Sequence, residues 1–177
     1  MTPGAPRYSA PAIALHWLMA LLIFTSLGLG FYMADLPLSP SRVRLFNWHK
    51  WLGITILMLA AARLLWRLLH PAPPLPDTLP PWQQRASRAS HWTLYVLFFV
   101  VPLMGWAYTS AAGFPVVYLG LIPLPDWIAP NEVLAETLES AHALLAYSLA
   151  AVVAIHIAAA LKHAMIDRDG LLGRMLP

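Results

Sequence analysis

The sequence predicts an all-α protein integral to a membrane: one domain, folded as a bundle of four spanning helices with both termini in the cytoplasm. Three observations carry this. Of the 177 residues 59% are hydrophobic and only 11% charged, where a soluble domain carries about 25%. Four charge-poor runs are each long enough for a hydrocarbon core of about 30 Å. The Lys and Arg residues, finally, fall unevenly between the two sets of connections.

The first run, Pro11 to Ala34, lacks Asp, Glu, Lys and Arg altogether and reads as a helix over 11–34. It is long for a secretory h-region and ends in FYMAD, a poor cleavage site, so it is expected to be retained. The second helix, 46–69, has Lys50 near one end and Arg63 and Arg67 near the other, where long side chains snorkel to the interface. Trp92 to Pro125 is again free of charge, but Gly113 and Pro115 stop a helix near 111, giving a third element over 90–111 with a kink at Pro102. The fourth, 131–163, begins with Glu132, Glu136 and Glu139 along one face, suited to its N-terminal dipole.

Residues 70–85 form a proline-rich, extended loop, and residues 112–130 an apolar connection that dips into the interface. Arg7, Arg63, Arg67, Arg85, Arg88, Lys162, Arg168 and Arg174 lie on the side of the termini, against Arg42, Arg44 and Lys50 on the other. The positive-inside rule makes the first side cytoplasmic. No basic block or aromatic-interleaved patch accompanies the net charge of +3, so lipid rather than nucleic acid is the expected environment.

With no cysteine, disulfides, iron–sulfur clusters and covalent haem are excluded, and the seven histidines become the informative residues, because ionisable groups at membrane depth usually mark a site. His16 and His156 lie at one depth, toward the cytoplasm, and His49 and His142 at a second. On the fourth helix the two levels are fourteen residues apart, about 21 Å on nearly one face. Two pairs of imidazoles suit two low-spin haems, each held by two histidines, whereas zinc would gather three or four ligands at one locus.

His91, at the expected start of helix three, is read as a surface residue or an alternative inner ligand, and His70 as a solvated loop residue. His163, two turns beyond His156, stands where a proton donor to a ligand near the inner haem belongs. The tryptophans read as an interfacial belt. Gly28, Gly30, Gly53 and Gly105 admit either a haem edge or a close helix. Met19, Met33, Met58 and Met104 read as core or lipid-facing.

The segments ALHW (14–17), NWHKWLGI (47–54), ARLLWRL followed by HPAPPLP, SHWTLYVLFFVVPLMGW and the ending HIAAALKHAMIDRDGLLGRMLP together resemble the bacterial cytochrome b561 family over nearly the whole chain. The resemblance implies two haem b groups in the bacterial inner membrane, with His16 and His156 as cytoplasmic-side and His49 and His142 as periplasmic-side ligands. The likeness extends to members that oxidise superoxide and reduce ubiquinone, which implies a quinone near His163; Arg42, Arg44 and Lys50 then read as a positive outer mouth that concentrates the anion. Arg63, Arg67, Arg85 and Arg88 then become partners for haem propionates. The alternative within the family is an electron-transfer subunit, fed by a partner dehydrogenase or hydrogenase docked as protein electron donor, for which the Glu132, Glu136, Glu139 face is the candidate surface.

Overall fold

The computed structural model describes residues 7–76 and 79–176. Its four long helices are α1 (Ala10–Ala34), α2 (Pro40–Leu69), α3 (Pro81–Ala111) and α4 (Glu132–Lys162), all long and apolar enough to cross a membrane. Asp77 and Thr78 of the proline-rich loop lie outside the described residues. Two helices begin well before the charge-free runs do. In α2 the Ser39 hydroxyl accepts the Arg42 N–H at 3.2 Å, with Pro40 in the first turn, and α3 opens on Pro81 in the same way. Proline at this position loses no helical hydrogen bond, so both prolines initiate helix, and the starts expected at 46 and 90 move back to Pro40 and Pro81. Helix α3 also runs on through Pro102. At α4 the Asn131 side chain accepts the Leu134 N–H at 2.9 Å, an ordinary N-cap.

Neighbours in sequence are neighbours in space, α1 on α2, α2 on α3 and α3 on α4. Met19 and Ile23, Ile56 and Ala60, Leu94, Leu97, Phe98 and Val101, and Leu149 meet in one apolar cluster. Leu149 is seven residues from both His142 and His156, so this apolar core lies between the two histidine levels. Outward-facing Leu21, Phe24, Leu65, Val96, Leu144 and Ile155 are all more than half exposed. That is the surface a helix presents to lipid, where burial of apolar groups in protein is not required.

The α3–α4 connection holds a small hairpin that the sequence reading did not anticipate, β1 (Val117–Tyr118) against β2 (Ile122–Pro123), antiparallel. Its turn passes through Leu119 (φ 55°) and Gly120 (φ 73°), both left-handed as a type I′ turn requires. The hairpin is fastened to α2. Trp51 Nε1 donates to the Val117 carbonyl at 2.7 Å, Lys50 Nζ to that of Pro115 at 3.1 Å, and the Thr55 and Tyr118 hydroxyls are 3.0 Å apart.

At the other end of the bundle the chain leaves α4 by a single π-helical turn, His163–Asp167, and a 3-10 turn, Leu172–Arg174. It then crosses back over the N-terminal segment. Arg174 is buried and donates to the Pro74 carbonyl at 3.0 Å, its own carbonyl accepts Tyr8 N–H at 3.2 Å, and Trp17 Nε1 donates to Met175 at 2.8 Å. Together with Trp66 Nε1 on Ser9 Oγ, these contacts make three of the expected belt tryptophans (Trp17, Trp51 and Trp66) clamps between segments. Each such bond adds about 1 kcal/mol net.

A leucine held in the left-handed region costs about 1–2 kcal/mol that glycine does not pay, and the Leu119 side chain is 53% exposed with little packing to lose. Leu119→Gly is therefore expected to raise the thermal midpoint of the purified protein by a few degrees. A lower midpoint in a melting curve would show that the leucine's contacts outweigh its backbone strain.

Candidate haem centre

At the hairpin end, His49 from α2 and His142 from α4 face one another with ring centroids 6.1 Å apart and planes at 84°. Each ring is seated against a glycine on the adjacent helix. A Cβ at Gly30 of α1 would stand 3.1 Å from His49 Cε1, and one at Gly105 of α3 would stand 3.0 Å from His142 Cε1. Each ring also turns Nδ1 toward an oxygen one helical turn before that glycine. His142 Nδ1 donates to the Val101 carbonyl at 3.0 Å, and Ser26 Oγ lies 3.4 Å from His49 Nδ1. The glycine makes room for the ring and the oxygen holds its Nδ1 side; at His142, where the carbonyl can only accept, Nε2 is left without a hydrogen.

The cavity these rings share is lined by apolar side chains together with Arg42, Lys50, Tyr108 and Glu139. Phe31 and Tyr147 stack across it from α1 to α4 at 5.2 Å. Arg42 lies over the Phe46 ring with its Nε buried. Two features differ from the expected cationic mouth. Arg44 is exposed and does not line the cavity, because it lies two residues from Arg42 on α2 and so faces elsewhere. Glu139, itself exposed, borders the cavity together with the cations, whereas Glu132 and Glu136 do not.

At the terminal end, His16 of α1 and His156 of α4 are 6.3 Å apart by centroid, with planes at 63°. His91 of α3 is a third member, 5.5 Å from His156. Its expected surface position is corrected by the early start of α3, which puts ten residues of helix before it and brings it inside the bundle. Here Nδ1 of His16 is buried without a hydrogen-bond partner, in contrast to the supported rings at the hairpin end. The guanidinium of Arg63 lies over the Tyr95 ring at 5.9 Å, and Arg63 and Arg67 line a small cleft with Tyr8 and Trp66. Arg85 and Arg88 are exposed on the first turns of α3 and stand apart from this cleft. His70 is exposed and stacks on Trp66 at 3.9 Å. His163 is paired to Asp169 and Asp167, two residues the sequence reading did not single out.

Two imidazole nitrogens each about 2 Å from one metal, plus the depth of each ring, put the centroids about 6 Å apart. The separations of 6.1 and 6.3 Å fit that requirement, and the bound Nδ1 of the hairpin-end rings is the arrangement that metal-ligating histidines use. Over residues 7–177 the chain matches the family model described as prokaryotic cytochrome b561.

The chain belongs to the prokaryotic cytochrome b561 family. Members of the family bind haem b, and this one is a multi-pass protein of the bacterial inner membrane. It is 34% identical over 172 residues to cytochrome b561 homolog 2 of Escherichia coli (strain K12), covering 96% of this chain and 91% of that protein. It is 32% identical over 176 residues to the probable superoxide oxidase CybB of Yersinia pestis, covering 97% and 96%. A third relative, cytochrome b561 homolog 1 of Escherichia coli (strain K12), is 28% identical over 172 residues and covers 97% of each chain.

The glycine seats give this cytochrome a test with an internal control, since a Cβ at Gly28 meets nothing within 4 Å. Gly30→Ala and Gly105→Ala are each expected to displace an imidazole and reduce the haem retained per chain, while Gly28→Ala keeps it. Equal retention in all three, by absorbance against protein, would mean the rings do not depend on their seats.

Proposed function

We propose that this cytochrome is a superoxide:ubiquinone oxidoreductase holding two haem b groups, one between His49 and His142 and one between His16 and His156. The observation that carries the reading is the pair of facing imidazole sets at two depths, one of which shares its cavity with Arg42 and Lys50. The asymmetry of eight Lys and Arg against three supports a cytoplasmic terminal end and a periplasmic hairpin end. Bound haems would supply one-electron redox centres at both levels, joined across the bundle's apolar layer.

The protein's own part begins with attraction. Arg42 and Lys50 at the hairpin-end cavity concentrate a small anion by focusing the field in a low-dielectric cleft, Arg44 adds long-range attraction from the exposed side of α2, and Glu139 limits that field. Superoxide gives up one electron and leaves as oxygen, so two superoxide ions match one quinone. At the terminal end ubiquinone takes up two electrons and two protons to become ubiquinol, and His163 hands a proton to its oxygen. Arg63 and Arg67, with no carboxylate among the residues lining their cleft, are suited to carboxylates such as haem propionates. The relative named as a probable superoxide oxidase supports the same donor.

The donor is tested on the purified cytochrome with superoxide and a short-chain ubiquinone. Reduction is expected to be rapid without a protein partner and to slow with salt, because attraction by surface charge is screened over about 8 Å at physiological ionic strength. Changing Arg42, Arg44 and Lys50 to Gln should lower the second-order rate several-fold at unchanged haem content, and changing Arg85 and Arg88 should not. A slow rate indifferent to salt and to these charges would point instead to an electron-transfer subunit with a docked protein donor.

A further inference from the structure

The turn that ends α4 fixes the orientation of one imidazole. After His163–Asp167, Arg168 enters the left-handed region (φ 52°), and its N–H returns to the His163 carbonyl. The reversal folds Asp169 back beside the ring, its own N–H 3.4 Å from the same carbonyl. His163 Nδ1 then stands 2.6 Å from Asp169 Oδ2 and 3.1 Å from Asp167 Oδ2. The other oxygen of Asp169 accepts the Leu171 N–H at 3.1 Å, which holds the carboxylate in place. Lys162 pairs with Asp167, so Asp169 is the carboxylate given over to the histidine. With side chains 18% and 15% exposed, this pair is shielded well beyond an ordinary surface ion pair.

We propose that Asp169 is a positioning residue for quinone reduction, keeping the His163 proton on Nδ1 so that Nε2 is the nitrogen that serves the quinone. The proposal rests on the reading of His163 as the quinone's proton donor and adds the group that determines how the ring does it. An ionised carboxylate only accepts, so Nδ1 must carry hydrogen. A ring protonated on both nitrogens can release the Nε2 proton to the quinone oxygen and remain as the neutral Nδ1–H form, stabilised by Asp169 throughout. The two electrons that complete quinol formation come from the reduced protein, Nε2 regains its proton from water at the terminal end, and a second delivery by the same ring supplies the quinol's other proton. The cluster of His163, Asp167 and Asp169 also has the composition of a cation site, but Lys162 already supplies a positive charge to Asp167.

The test uses the haem-loaded protein and three variants. Asp169→Asn keeps an oxygen for Leu171 but removes the obligatory acceptor, because an amide can equally donate to Nδ1. In the fully reduced protein labelled with 15N-histidine, His163 signals are those lost in His163→Ala. At a pH high enough to leave the ring neutral, the wild type should show protonated Nδ1 and bare Nε2, and Asp169→Asn a mixture of tautomers. In parallel, reoxidation of the reduced protein by a short-chain ubiquinone should slow on the order of tenfold at saturating quinone in Asp169→Asn. Half-saturation and haem spectra should stay unchanged, and Asp169→Glu should recover most of the rate. An unaltered tautomer, or a rate within twofold of wild type while His163→Ala is slow, would overturn the role of Asp169. Wild-type speed in His163→Ala would overturn the reading beneath it, and the proposal with it.

Discussion

An imidazole inside an apolar bundle is stable only if its N–H finds an acceptor, and it can hold a metal only if the other nitrogen stays free. Among helices this constrains the backbone first, because the helix's own hydrogen bonds already engage nearly all its carbonyls. At the hairpin end the constraint is met twice in the same form. Gly30 and Gly105 let α1 and α3 come close enough for the rings of α2 and α4 to reach Ser26 and the Val101 carbonyl. The carbonyl's second lone pair serves His142 without breaking the helix. The rest of the bundle is arranged around these two seats, with α1 on α2, α3 on α4, and an apolar layer below them.

The two ends answer the constraint differently. The hairpin end is fastened by backbone carbonyls of β1 and its approach to Trp51 and Lys50 of α2, and its imidazoles are oriented by protein acceptors. At the terminal end three imidazoles gather without acidic residues in the adjoining cleft, beside Arg63 and Arg67, under a strap made by the C-terminal segment. With no carboxylate among the residues lining their cleft, these arginines suit a negatively charged cofactor edge. In the proposed reaction the proton-handling residue stands outside this cluster, where His163 and Asp169 pair.

Much of the architecture was legible because hydrocarbon is a harsh solvent for charge. The charge-free runs around Ile23 and Leu149 admit no other reading than spanning helices, and the fourteen-residue step from His142 to His156 places both rings on one face of α4. Helix beginnings were less legible. Pro40 and Pro81 break loops and start helices with the same residue, and only the capping contact of Ser39 decides for α2. Misplacing the start of α3 also left His91 at the surface. The hairpin was hidden because Leu119-Gly120 lacks the usual Asn or Asp of a type I′ turn. Glycines 30 and 105 stood out by type, but nothing in one dimension says which ring each will meet. Asp169 reaches His163 only through a π-turn and a left-handed arginine, neither of which has a periodic signature.

The central claim is that the imidazoles work as two pairs. It is tested most directly by the reduced-minus-oxidised spectrum of the purified protein, with haem counted per chain in wild type and single His→Ala variants. Two b-type haems per chain are expected. His49→Ala or His142→Ala should each remove one, and His16→Ala or His156→Ala the other, with His91→Ala retaining both. A single haem per chain, or loss of a haem in His91→Ala with both kept in His16→Ala, would contradict the pairing.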